Sequence, residues 1–181
     1  MFDRIVRAIR LDPTLYRQVA DDKQYTKEAF IIVLIVSLFS AVGAAIGAAM
    51  ADANALLAFM TSLLSTILFG WLLWAVIAYF LGTMLGGKSG VTEMARTLGY
   101  ANAPGLLGVF TFIPCVGWMI ALAGLLLSLV AGVIAIRESM EFNTTSALIT
   151  ASAGFVAYIV VRLVIGFVLG GMGAAGLAIP G

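Results

Sequence analysis

Five apolar runs, at residues 29–51, 56–82, 94–112, 117–136 and 146–172, take up most of a chain of 181 residues. A helix needs about 20 apolar residues to cross the hydrocarbon core of a bilayer. Runs one, two and five are long enough to span with tilt, while three and four are shorter. Apolar residues make up 62% of the chain and its mean hydropathy is +1.12, far above a soluble domain. No stretch is left for a separate soluble domain. The expected fold is an all-α membrane protein: a five-transmembrane-helix bundle over 29–173. Ahead of it lies an amphipathic interfacial segment, 1–28, and after it an extracytoplasmic tail, 174–181.

Charge orients the bundle. Of ten basic residues, nine fall in alternate gaps: Arg4, Arg7, Arg10, Arg17, Lys23 and Lys27 before run one, Lys88 and Arg96 between runs two and three, and Arg137 after run four. Basic residues near span ends stay on the cytoplasmic side. The expected placement is therefore multi-pass in the cytoplasmic (inner) membrane, N-terminus inside and C-terminus outside. Lys88, Glu93, Arg96, Arg137 and Glu138 would form a charged cytoplasmic collar, with Arg137-Glu138 ending span four and pairing with Arg96 or Glu93 across the same face.

Several function classes lose their chemistry. A formal charge of +1 gives nucleic acid nothing to bind, and the absence of His removes the commonest general base and metal ligand. Cys115 is alone, so neither an internal disulfide nor a thiolate metal cage can form. No Gly-x-Ser-x-Gly and no acid deep within a span is present. Neither an enzymatic activity nor a cofactor is expected.

The first 28 residues are patterned. Phe2, Ile5, Val6 and Ile9 recur at helical spacing, with Asp3, Arg4, Arg7 and Arg10 elsewhere around the helix. Such a basic amphipathic helix lies in the membrane interface as an anchor, or offers a docking surface to a partner. Asp12-Pro13 reads as an N-cap with Pro at the first helical position, opening a second short helix through Val19. Thr26-Lys27-Glu28 would cap the first span. Gly82 to Ser89 spells G-x-x-x-x-G-K-[ST], but a phosphate loop needs a strand before it and a helix directly after it. Here an apolar helix precedes it, so the stretch reads as a glycine-rich turn leaving the membrane.

Within the spans, Arg162 stands alone near the middle of run five. A charge there is costly and should face the bundle or a wet cavity. Tyr100, Asn102 and Ser128 could meet it, with carbonyls freed at Pro104, and the arrangement reads either as an anion-facing site or as a structural clamp. Pro104 should kink span three, and broken helices at membrane depth either line sites or serve packing. A charge-free hairpin, Phe112 to Trp118, leads to span four. The pairs Gly43/Gly47 and Gly166/Gly170 are close-packing faces for a helix of this chain or of another.

"TLGYANAPGLLG", "FIPCVGW" and "IRES", in that order behind a Gly-Gly-Lys loop, resemble the Yip-domain family of integral membrane proteins over about residues 10–172. The resemblance implies a five-helix membrane protein without enzymatic activity. Eukaryotic members are linked to Rab-type GTPases and vesicle traffic. The Asp-Leu-Tyr-Gly-Pro motif and the long N-terminal domain of those members are missing, as in a prokaryotic form. The function expected is a scaffold or adaptor binding membrane lipids or protein partners at the cytoplasmic face, with homo-oligomers open. The alternative is a small transporter or channel built around kinked span three and Arg162.

Overall fold

The computed structural model describes residues 1–113 and 116–177, with the side chains of 108–112, 121, 162 and 165–177 left aside. Every element among the described residues is helical. In order they are α1 (Phe2–Ile9), α2 (Pro13–Asp21), α3 (Tyr25–Met50), α4 (Ala55–Ser65), a π-helical segment (Thr66–Leu73), α5 (Trp74–Met84), α6 (Val91–Ala101), a 3-10 segment (Ala103–Phe112), α7 (Gly117–Ser139) and α8 (Thr144–Leu177).

Helix starts are written in side chains. The Asp12 carboxylate accepts from the Thr14 N–H at 2.9 Å, with Pro13 following as the sequence predicts. Asn54 Oδ1 accepts from Leu57 N–H at 2.9 Å and Asn143 Oδ1 from Ser146 N–H at 2.8 Å, which starts α4 and α8. Each satisfies a donor the first helical turn leaves orphaned. The expected cap of the first span is different: Gln24 precedes α3 without a side-chain cap, while Thr26 and Glu28 bond to arginines elsewhere. At the end of α5, Gly86 N–H donates to Thr83 O and Gly87 N–H to Gly82 O, with Gly86 at φ +86°. That is a left-handed helix terminus. The Gly-Gly-Lys stretch is thus a helix stop.

Thr14 and Arg7 hold the Asp12 carboxyl down to about 2 from its ordinary 3.8. A lowered folded value means the cap's contribution is complete above pH about 4 and is lost as pH falls through about 2. Asp12→Ala should lower the unfolding midpoint in detergent by roughly 2–4 °C at neutral pH, with the gap to wild type closing below pH 2. A gap that does not change with pH would rule out the charged cap.

Among the described residues four helices, not the expected five, are long and apolar enough to cross a membrane: Tyr25–Met50, Ala55–Met84, Gly117–Ser139 and Thr144–Val161. The run over 94–112 is divided. Asn102 ends α6: its N–H reaches back to Leu98 O and Gly99 O, and its side-chain amide donates to Leu98 O at 2.8 Å. Pro104, with no N–H, cannot resume an α-helix. Gly105 N–H then bonds Asn102 O at 2.8 Å, the tighter 3-10 spacing.

The core is continuous from α1 to α8. Leu15, Tyr16 and Val19 of α2 are fully buried in the same cluster as Ala29, Ile32 and Val33 of α3, Leu98 of α6, Ala135 of α7 and Ala147 of α8. Ala8 of α1 joins them, and the Tyr16 hydroxyl donates to its carbonyl at 3.1 Å. Residues 1–24 therefore seal one end of the bundle. Phe2, at 79% exposure, stays outside the core that Ile5 and Ile9 pack against.

Candidate functional site

Two places gather chemistry: a cavity at mid-depth and the charged end of the bundle. The cavity, of about 260 Å³, opens among Ser40 of α3, Thr66 and Gly70 of the π segment, Asn102 and Gly105 at the α6/3-10 junction, and Ser128 of α7, with Phe155 of α8 closing it. Both irregular stretches of backbone face it. Ser40, Thr66, Gly70 and Ser128 lie near the middles of their helices, so the cavity is centred on the apolar belt. Two of its polar side chains bond back to their own helices: Thr66 Oγ1 donates to Ser62 O at 2.9 Å and Asn102 Nδ2 to Leu98 O.

Trp74 forms another wall and is held from two sides. A Cβ on Gly132 would lie 2.6 Å from its Cη2, and Gly154 of α8 faces its Nε1 at 3.7 Å. That Nε1 has no hydrogen-bond partner, whereas Trp71 Nε1 donates to Ala95 O at 2.7 Å.

The expected intramembrane constellation is only partly assembled. Asn102 lines the cavity, and Pro104 packs beside it with its carbonyl 3.1 Å from a Cβ built on Gly124. Tyr100 does not join them. Two residues along a helix is a rotation of about 200°, which turns its fully buried ring toward the Arg4–Glu28 pair. Its hydroxyl lies in the field of that pair without a hydrogen bond of normal geometry. The Arg162 side chain lies outside the described residues, as does the Pro114-Cys115 part of the expected hairpin. Gly43 is buried, but nothing lies within 4 Å of a Cβ on Gly47, and Gly166/Gly170 fall outside the described side chains.

At the charged end, the basic residues do structural work. Arg96, expected in an exposed collar, is 4% exposed. Its Nε donates to Val19 O at 2.6 Å, one terminal nitrogen to Ala20 O, and the other to Thr26 Oγ1 at 3.2 Å. These carbonyls belong to the last turn of α2, where orphaned acceptors and the helix dipole both favour a cation. Arg96 fastens α2 to α6. Arg4 makes a two-pronged bond to Glu28, Nε to Oε1 at 3.0 Å and Nη2 to Oε2 at 2.6 Å, over the Tyr25 ring. That ties α1 to the start of α3. Arg17 of α2 reaches Glu138 O at 3.3 Å and the Glu141 carboxylate at 3.2 Å, bracing the α7–α8 turn.

The remaining collar residues meet through serines. Ser139 Oγ donates to Glu93 at 3.4 Å and lies 2.7 Å from Ser89 Oγ, and burial holds the Glu93 carboxyl above its ordinary range. Arg137 does not reach Glu93 or Arg96; it pairs with its neighbour Glu138 at 2.6 Å. Lys88 is exposed, and its backbone N–H donates to Met140 O at 3.4 Å. The sequence reading missed Arg17, which makes these contacts only because α2 is folded against α7. Among the described residues no cluster of three or more His, Cys, Asp or Glu is placed to hold a metal.

No curated protein and no solved structure matches the chain. The Yip1 domain family model matches residues 11–173, from the last residue before α2's cap to deep within α8. The cavity and all of the sealed end except α1 fall within that stretch, and the chain belongs to the Yip1 domain family of membrane proteins.

Proposed function

We propose that this protein is a non-enzymatic membrane adaptor whose charged end, on the cytoplasmic side, docks protein partners and anionic headgroups. The observation that carries it is the division of labour among the cations. Arg4, Arg17 and Arg96 are bonded to partners that fix α1, α2 and the α7–α8 turn onto the bundle, and Arg137 is paired with its neighbour Glu138. Arg10, Lys23, Lys27 and Lys88 project from that platform, all exposed. A rigid surface with its free charges displayed loses little conformational entropy on docking. In this reading the segment over 94–112 is the fifth crossing, its α and 3-10 halves together spanning about 35 Å at roughly 1.5 and 2 Å per residue. That puts the starts of α3 and α6 and the end of α7 on one face, which the Arg96–Thr26 and Ser139–Glu93 bonds support.

The test is reversal of Arg10, Lys23, Lys27 and Lys88 to Glu in one variant. Proteins cross-linked to wild type in native membranes should be recovered at least tenfold less, with the detergent unfolding midpoint unchanged. An unchanged partner set would overturn the reading. A transport role draws no support from the cavity, whose Thr66 and Asn102 donors are turned back onto their own helices.

A further inference from the structure

The mid-depth cavity has a side entrance. A second hollow, lined by Ala44 of α3 and by Ala58, Thr61, Ser62 and Ser65 of α4, shares Thr66 and Gly70 with the cavity. These two residues stand on the π-helical segment. A π-helix carries an extra residue per turn and widens the helix locally. Small side chains on both helices leave a gap there, whose rim at Thr61 is exposed. The gap therefore runs from the lipid-facing surface into the centre of the bundle.

From this geometry we infer that the cavity takes the terminal part of a lipid acyl chain, entering laterally between α3 and the α4–π segment. Three properties select that occupant. The cavity sits at the middle of the four long apolar helices, the depth of chain ends and not of headgroups. Its volume of about 260 Å³ accommodates roughly nine groups of methylene or water size. And its walls are mostly apolar: Val36, Leu125, Leu129 and Phe155 supply apolar surface, Thr66 and Asn102 donate to carbonyls of their own helices, and the polar atoms of Ser40, Ser128, Tyr158 and Trp74 are scattered among them. A hydrated solute would meet few free donors here. A hydrocarbon chain restores the dispersion contacts that an empty apolar cavity forfeits. Binding of this kind concerns the bilayer core and is independent of what docks at the charged end.

The protein reconstituted in nanodiscs of palmitoyl-oleoyl phosphatidylcholine, doped with a phosphatidylcholine carrying a photoreactive diazirine near the chain terminus, tests this by mapping cross-linked peptides. Trp74 is 9% exposed and Leu122 46% exposed. Chain occupancy predicts cross-links at Trp74 comparable with those at Leu122. Filling the cavity with Ser128→Leu, or independently from the opposite wall with Ser40→Leu, should reduce labelling of Trp74 at least fivefold and leave Leu122 unchanged. Labelling of Leu122 without Trp74 in the unaltered protein would sink the inference, whatever the variants do. So would rapid reaction of Ser128→Cys, in a Cys115→Ser background, with a charged membrane-impermeant thiol reagent, because the cavity would then be aqueous.

Discussion

Arg96→Met is expected to release α2 from the bundle and to lower stability by about 2–5 kcal/mol. The substitution keeps an unbranched apolar stem and removes the guanidinium, so the packing of that stem changes little. What goes is the one side-chain donor among the described residues to the last carbonyls of α2, at Val19 and Ala20. Each buried carbonyl left without a partner costs about 1–3 kcal/mol. Thr26 loses the guanidinium it faces at 3.2 Å as well. For a chain of this length such a loss corresponds to a fall of about 10 °C in unfolding midpoint. Arg96→Lys should recover less than half of it, because one ammonium cannot reach three acceptors that a planar fork meets together. Thermal unfolding in detergent measures the loss. Limited proteolysis locates it: cleavage should appear between Asp21 and Gln24, at the α2–α3 turn, before any cut within the long helices. If the Lys variant matches wild type, charge alone explains Arg96 and the forked geometry is irrelevant.

The long apolar helices are legible in the sequence because length and hydropathy are local properties: α3, α4 to α5, α7 and the first part of α8 fall where runs one, two, four and five predict them. Asp12-Pro13 is legible for the same reason, since a cap bonds within its own turn. Arg96 is not. Its partners are main-chain carbonyls, which every residue has, so nothing in the identity of Val19 or Ala20 announces them. A sequence reader pairs Arg with Glu and places both at the surface. The burial runs without a gap from Arg96 to Ala101, so that half of α6 turns no face to water and its arginine goes inside with the rest. The third run was misread by a smaller margin. Pro104 marks the break, but the preceding Asn102 ends the helix by bonding its own turn, and the 3-10 geometry that follows depends on packing against α3 and α7. The π-helical stretch Thr66–Leu73 carries no proline or charge, and so the opening it makes into the cavity had no sequence mark.

Gly99→Leu should be more damaging still than Arg96→Met. A Cβ at Gly99 would lie 3.0 Å from Ala29 Cβ and 3.3 Å from Ala29 O. A carbonyl in the first turns of α3 cannot rotate aside as a side-chain tip can, so α6 must move away as a body. Gly99 is one turn beyond Arg96, so that displacement also withdraws the guanidinium from α2. Overpacking alone costs about 1–3 kcal/mol, and the loss of the Arg96 bonds adds to it. Gly99→Leu is therefore expected to exceed Arg96→Met in destabilisation. The two should be strongly non-additive, because the first change already breaks the interaction the second removes. A smaller pair separates the causes. Gly99→Ala introduces only the 3.0 Å contact with Ala29 Cβ and the 3.3 Å contact with its carbonyl. Adding Ala29→Gly removes the former and leaves the latter, so the double variant should regain part of the lost stability and not all of it. Full recovery would mean that side-chain crowding alone sets the α3–α6 distance. No recovery would mean that the backbone carbonyl sets it, a contact that any residue but glycine at position 99 would meet.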